Sequence, residues 1–331
     1  MTEIALLFPG QGSQHVRMAA GLYEHDAVFT AAMDEVFAAL APDGAAVRAD
    51  WLTTGRPAVA IDHVTRSQVL LFAVGHALGR VALSWGLRPA ALLGHSAGEL
   101  AAATLSGVFD VDVAARLMWE RVTELEKAAP GGMLAVAATV DEVAPFLAGD
   151  VVVGAVNAPR QLILAGPAAP LADVAARLRA ARFTCRPVPA TVAFHSPALA
   201  GTAARCAPAI AAARPRTPRI PLISGYTAKV LTDTEAADPA FWAGHPVEPV
   251  LFWQAVGTLL GEGSPLPAGG SRVLVEAGPS QGLAKVARLH PVVRAGGARV
   301  LTMLPGRPLG AEADRAALAE ARESLMAAVS R

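Results

Sequence analysis

The stretch Ala91-Leu-Leu-Gly-His-Ser-Ala-Gly-Glu-Leu-Ala-Ala-Ala-Thr-Leu-Ser-Gly107 constrains this chain more than any other. The apolar run Ala90–Leu93 reads as a buried strand, and the small residues after the turn read as a helix. Between them, Ser96 is flanked by Gly94 and Gly98 in a G-x-S-x-G pattern. Glycines at those places let the chain turn sharply and let the helix lie close to the strand. A serine at such an apex projects its hydroxyl into a cleft. Helix N-terminal N–H groups then face whatever oxygen becomes negative when that hydroxyl attacks a carbonyl. Ser96 is therefore a candidate nucleophile; a plain strand-to-helix turn with a capping serine would carry the same residues.

Such a turn needs a large sheet behind it. A length of 331 residues at 53% apolar composition supplies one big core with room for a satellite domain. The 28 basic and 28 acidic residues cancel, so the charge balance gives no reason to expect a nucleic-acid or membrane partner. Cys185 and Cys206 cannot make a disulfide framework and stand in no metal-ligand spacing, so a reducing cytoplasm and no metal are expected. No basic-then-apolar leader opens the sequence. The most apolar run, Val69 to Leu87, is broken by His76 and Arg80, and no membrane span is expected.

In chain order, Ile4–Phe8 reads as a buried strand running into Pro9-Gly-Gln-Gly-Ser-Gln14, a glycine-rich turn that presents backbone N–H groups. Its spacing fits neither a dinucleotide fingerprint nor a P-loop. Amphipathic helices follow over about 18–40 and 62–84, with Gln68 near the start of the second, either facing solvent or lining a site. A helix over about 111–128 carries Arg121 among mostly solvated charges. After Pro130-Gly-Gly132 the pattern changes to a β-α-β-β-α-β unit, which includes Asn157-Ala-Pro159 and reads as a ferredoxin-like insert. The chain returns to the large domain at Thr191-Val-Ala-Phe-His-Ser-Pro197, which puts His195 at the junction. A neutral imidazole beside Ser96 could take its proton. Seven other histidines, His95 and His245 among them, compete for that role, and spacing cannot choose between them. The fold expected is α/β: a hydrolase-like large domain with a mostly parallel sheet over 1–129 and 191–331, interrupted by a ferredoxin-like small domain over 130–190. Gly261–Gly270 reads as a surface connection and the tail from Ala311 as a terminal helix.

Taken together, Pro9-Gly-Gln-Gly-Ser-Gln14, Gly94-His-Ser-Ala-Gly-Glu99, Arg121, Asn157-Ala-Pro159, Phe194-His195-Ser196 and Glu276-Ala-Gly-Pro279 resemble the malonyl-CoA:acyl-carrier-protein acyltransferase family, in its stand-alone and polyketide-synthase forms. The resemblance runs in order from residue 4 to about 304. It implies Ser96 as the acylated nucleophile, His195 as its base, and the backbone N–H groups of Gln11 and Ala97 as an oxyanion hole. It further implies Arg121 as the clamp on a substrate carboxylate, Gln68 and Asn157 at the acyl pocket, and a backbone carbonyl near His245 holding the His195 ring. No cofactor would stay bound. A coenzyme A thioester would be the substrate, an acyl carrier protein the partner, and a monomer the working form. Because the chain starts at its own Met1 and shows no linker, it reads as a discrete, trans-acting enzyme.

Each implied role is physically coherent. A planar guanidinium meets a carboxylate bidentately, so an acyl group without one would leave a buried charge unpaired. Two backbone donors on a developing oxyanion are worth roughly 3 kcal/mol each. Malonyl-specific relatives resemble His-Ala-Phe-His where this chain has Val192-Ala-Phe-His195. Phe194 favours malonyl, whereas Val192 and the small Ala97 could admit a bulkier dicarboxylic unit. From Val174 to Thr232 there is no acidic residue but there are nine basic ones, and Arg182, Arg186 and Arg216 are candidates for docking an acidic carrier. The alternatives are another extender or carrier-bound acyl donor, or an acyl-thioester hydrolase with the same serine and histidine.

Overall fold

A computed structural model describes residues 2–267 and 269–330. Residue 268, inside the expected Gly261–Gly270 connection, lies outside the described residues. Five strands, β1 (Thr2–Phe8), β2 (Ala91–Gly94), β7 (Leu222–Ile223), β8 (Ser271–Glu276) and β9 (Arg299–Thr302), form one sheet in the order β7-β2-β1-β8-β9. Every pairing in it is parallel. Such a sheet is covered on both faces, which is why β1 and β2 are continuous apolar runs rather than alternating ones. It also puts the loops after β1, β2, β7 and β8 along one edge, the carboxyl ends of the strands, where open α/β sheets hold their ligands.

The second sheet is antiparallel. Its strands β3 (Gly131–Val136), β4 (Val152–Ala158), β5 (Gln161–Pro167) and β6 (Cys185–Val188) run in the order β4-β5-β3-β6. With helices at Val140–Val143 and Ala168–Ala180, this is the ferredoxin-like arrangement. It has its own core around Leu134, Val156, Leu162, Leu164, Val174 and Leu178. One strand of it is stitched to the large domain: Val156 N–H donates to Val250 O at 2.8 Å, and Val250 N–H donates to Gly154 O at 2.9 Å. Those bonds fix the small sheet over the carboxyl edge of the large one.

Helix boundaries follow local chemistry. Asp26 caps the helix Ala27–Ala39 by accepting from Phe29 N–H at 2.9 Å, so the amphipathic segment expected from residue 18 becomes helical only there. The helix Val64–Ser84 is long and apolar enough to cross a membrane, yet 83% of its apolar window is buried inside the protein. It packs on the helices Ala27–Ala39, Ala97–Ser106 and Val111–Leu125 as the central core helix. His76 and Arg80, which interrupt its apolar run, part ways: Arg80 is exposed and pairs with Glu35 at 3.3 Å, while His76 is buried against Phe72.

Neither ring nitrogen of His76 has a partner among the described residues. Burial, and to a lesser degree the charge of Arg80, lowers its pKa from 6.5 to about 4. The unfolded chain therefore takes up a proton that the fold refuses between roughly pH 6.5 and 4, and native stability falls as the pH drops through that window. His76→Leu is expected to remove an unsatisfied group worth about 1 kcal/mol or more and to raise the thermal midpoint at pH 7 by about 2–4 °C. Scanning calorimetry should show the gap between variant and wild type widening from pH 7 to pH 5; a constant or shrinking gap contradicts this account of His76.

Candidate active site

Ser96 sits at the carboxyl end of β2 with φ 54° and ψ −120°, a backbone conformation strained for any residue with a side chain. Two close approaches enforce it. A Cβ on Gly98 would overlap the carbonyl oxygen of Phe8, and a Cβ on Gly94 would overlap the backbone of Glu99. The loop after β1 is pressed against the same turn, since a Cβ on Gly10 would overlap the carbonyl oxygen of His95. Pro9 in turn rests on Gly278, in the loop after β8. Glu276 braces that loop from β8, accepting from Ala284 N–H at 2.7 Å, with burial raising its pKa to about 7. The Glu276-Ala-Gly-Pro279 segment thus supports the Pro9 loop and reaches no reacting atom.

Across the cleft, the Ser96 hydroxyl lies 2.7 Å from His195 Nε2. His195 Nδ1 is 3.0 Å from the carbonyl oxygen of Glu248, so the ring donates through Nδ1 and keeps Nε2 as an acceptor for the serine proton. The backbone of His195 is also in the left-handed region, with φ 60°, and its N–H donates to Pro246 O at 2.9 Å. Burial, then the neighbouring His95, lowers the His195 pKa from 6.5 to about 4, against the opposing pull of the Glu248 carbonyl. The imidazole is accordingly neutral at pH 7 and ready to accept a proton.

A carbonyl is expected near His245, and the turn after that residue supplies one: Glu248 O lies 3.0 Å from Nδ1, and the backbone of His245 acts on the ring in the same sense. The helix Pro239–Gly244 ends just before His245, and the turn that follows brings the carbonyls of Pro246 and Glu248 to His195. The His245 side chain is buried, its Nε2 without a partner among the described residues, stacked on Tyr226 at 4.0 Å and packed against Phe241 and Trp242.

The remaining expected residues divide into several groups. The Ala97 N–H opens the helix Ala97–Ser106 and has no intrahelical acceptor. Gln11 stands on the facing loop, its side-chain oxygen accepting from Gln68 Nε2 at 3.1 Å, and Gln68 is buried rather than solvent-facing. Asn157 pairs with His95 Nε2 at 2.8 Å on the wall of the Ser96 cavity. That cavity, about 270 Å³, is lined by Gln11, Ser96, Asn157, Phe194 and His195. A larger cavity of about 920 Å³ adjoins it, shares Gln11, Val188 and Phe194, and has Val192 in its wall. Arg121 lines neither. It shares a small crevice with Leu100, Glu120, Cys206 and Trp242, and is in none of the ion pairs among the described residues. Its charge is nonetheless felt at Glu99, His195, Tyr226 and His245. Arg182 and Arg186 are exposed on the small domain. Arg216 does not join them: it lies on the large domain, its N–H bonded to Val108 and its guanidinium 2.6 Å from Asp110.

Two neighbours had no role assigned from the sequence, although Glu99 closes the Gly94–Glu99 motif. Glu99 is fully buried, accepts from Gly225 N–H at 2.9 Å and has its pKa pushed up to about 8 by burial. Tyr226, on the loop after β7, is brought beside the His195 ring, 5.9 Å between centroids, by the strand order. No spacing in the sequence signals either contact. Among the described residues no group of three or more His, Cys, Asp or Glu side chains could hold a metal ion.

Comparison with known proteins agrees with this geometry. The acyl transferase domain family matches residues 5–281. A phenolphthiocerol/phthiocerol polyketide synthase chain of Mycobacterium tuberculosis is 35% identical over 290 residues, covering 87% of this chain and 19% of that protein. The chain thus spans under a fifth of that relative. Among solved structures, the acyl transferase domain of SpnD in complex with 2-(pent-4-yn-1-yl)malonyl superposes with a TM-score of 0.88 at 32% identity, covering 99% of this chain and 77% of that one. A malonyl-transacylase solved with a type II polyketide synthase acyl-carrier protein shares the fold at 22% identity and a TM-score of 0.82, covering 97% and 99%. With its parallel sheet, inserted antiparallel sheet and serine turn facing a histidine, this chain belongs to the acyl transferase domain family.

Proposed function

We propose that the domain moves a dicarboxylic acyl unit of the malonyl type from coenzyme A, through an ester on Ser96, to the phosphopantetheine thiol of an acyl carrier protein. The observation that carries this is the 2.7 Å contact between Ser96 and a His195 whose other nitrogen is held by Glu248, with the charge of Arg121 close behind. In the first half-reaction Ser96 Oγ bonds to the thioester carbonyl carbon as its proton passes to His195 Nε2. The oxyanion is received by the N–H groups of Gln11 and Ala97. Collapse breaks the carbon–sulfur bond, and the coenzyme A thiolate takes the proton from His195. In the second half the carrier thiol gives its proton to His195 and its sulfur attacks the ester carbonyl; the bond to Ser96 Oγ breaks and the serine takes the proton back.

A carbonyl in place of a third acid suits this reaction. It fixes the tautomer without stabilising an imidazolium by charge, and a thiolate leaving group needs little acid help. Arg121 would pair with the free carboxylate, and an acetyl donor would forgo that bond. Phe194, shared by both cavities, would narrow the space beside the acyl carbon, and the small Val192 lines the larger cavity. The relative solved with a substituted malonyl group, 32% identical, supports a dicarboxylic unit.

Intact-protein mass after brief incubation with malonyl-, methylmalonyl- and acetyl-CoA tests the reading. A malonyl adduct is expected on the wild type and absent from Ser96→Ala, and Arg121→Ala is expected to cut malonyl transfer at least about a hundredfold. Persistence of the adduct until carrier is added marks a transferase, whereas its rapid loss to water marks a hydrolase. Because His195 titrates near 4, the rate of acylation should stay flat from pH 8 to 6 and fall only as the pH approaches 4, where the base becomes protonated; an acidic limb near 6.5 contradicts the buried dyad.

Carrier docking would fall to the exposed Arg182 and Arg186, which make no ion pair among the described residues, since Arg216 is committed to Asp110. Charge reversal at the first two is expected to raise the KM for carrier severalfold at low salt and hardly at high salt. The same change at Arg216 should leave that KM alone. An equal effect at all three would contradict this placement.

A further inference from the structure

His95 precedes the nucleophile and takes no part in the mechanism above. Its backbone is held on both sides: the N–H donates to Phe8 O at 2.9 Å, and the carbonyl accepts from Gly98 N–H at 3.0 Å. From this anchor the ring crosses toward the small domain. It packs on Phe252, the buried first residue of the helix Phe252–Leu260, at 5.5 Å between centroids and 57° between planes. Nε2 then meets Asn157 Oδ1 at 2.8 Å. Both side chains line the Ser96 cavity.

Asn157 reaches the ring because β4 is irregular there. Val156 stands opposite Leu162 and Ala158 opposite Gln161, so Asn157 is the extra residue of a β-bulge. A bulge re-aims one side chain out of the regular alternation, and bulges gather beside active sites. The two ends of the amide have different surroundings. Its oxygen faces Nε2, which makes Nε2 the donor of a neutral ring; burial, by disfavouring the imidazolium, acts in the same direction. Nδ2 has no hydrogen-bond partner among the described residues, yet it is not one of their sealed-off polar atoms. Its N–H bonds therefore open on the Ser96 cavity. An amide free to turn over could offer that cavity either its oxygen or its nitrogen, and a donor fixed on the oxygen side removes the choice.

We propose that His95 is a positioning residue: by donating from Nε2 to Asn157 Oδ1 it holds the amide so that Nδ2 donates to a carbonyl oxygen of the thioester substrate in the Ser96 cavity. This rests on the reading that a coenzyme A thioester occupies that cavity. His95 acts through Asn157 and not on the reacting atoms. It spans the cleft from the turn that carries Ser96 to the bulge of the small domain, so a binding group on one domain is oriented from the other.

The test is a double-mutant cycle on Ser96 acylation by malonyl-CoA, followed by quenched-flow intact mass in wild type, His95→Leu, Asn157→Ala and the double variant. His95→Gln serves as the conservative variant, since a glutamine amide can still donate to Asn157. The half-saturating substrate concentration and the limiting rate constant do not depend on the fraction of a variant that is folded. Each single change is expected to raise the half-saturating concentration about tenfold and to leave the limiting rate within about twofold, with the double variant no worse than Asn157→Ala alone. His95→Gln should recover most of the loss. Losses that multiply in the double variant, or a lower limiting rate at unchanged half-saturation in His95→Leu, overturn the inference and leave His95 as a support of the Ser96 turn. NMR of protein labelled in the histidine ring nitrogens reads the contact without turnover: at pH 7 the His95 proton is expected on Nε2, protected from exchange in wild type and unprotected in Asn157→Ala. A proton on Nδ1 overturns the inference. A wild type that malonyl-CoA does not acylate fails the transfer reading, while the NMR outcome still decides the contact.

Discussion

The contact on which the site depends is backbone against backbone. The loop after β1 and the turn after β2 touch through Gly10 and Gly98, with no side chain between them. That contact sets the Gln11 loop against the start of the helix Ala97–Ser106. It also holds Ser96 in its left-handed backbone conformation, with the hydroxyl out in the cleft. Adjacency of β1 and β2 in a parallel sheet makes the approach possible, because parallel neighbours end their strands on the same edge. Pro9 on Gly278 and the buried Glu276 extend the same bracing to the loop after β8.

Against that rigid half, the second half is set by electrostatics. His195 belongs to a segment that returns from the small domain, and carbonyls rather than a carboxylate orient it. Removing water from around an imidazole disfavours its charged form, so burial, with His95 and Arg121 adding to it, makes His195 a neutral base. The same desolvation acts on Glu99, in the opposite chemical direction, and favours its protonated form. A protonated Glu99 serves as a buried structural link to Gly225.

The small domain contributes walls more than chemistry. Its strand β4 brings Asn157 to His95, and its bonds to Val250 tie the domain to the segment that carries Glu248. The small sheet is therefore tied to the segment that supports the dyad. Phe194 lines both cavities, and Val192, on the other side of Ala193, lines the larger one.

How much was legible in the sequence follows from the range of each interaction. The serine turn, the glycine loop and the β-α-β-β-α-β insert are local: glycine spacing and apolar periodicity specify them over short stretches of chain, and the order of the motifs carried the family resemblance. Long-range facts were of another kind. That Glu248 orients His195, that Arg216 is spent on Asp110, that Gln68 is buried against Gln11 and that Tyr226 stands beside His195 each join residues far apart in the chain. By itself, the sequence determined which residue types were available for chemistry and the local turns that present them. Tertiary structure alone decided which of them meet, because strand order and burial, rather than spacing, set distances and charge states across the cleft.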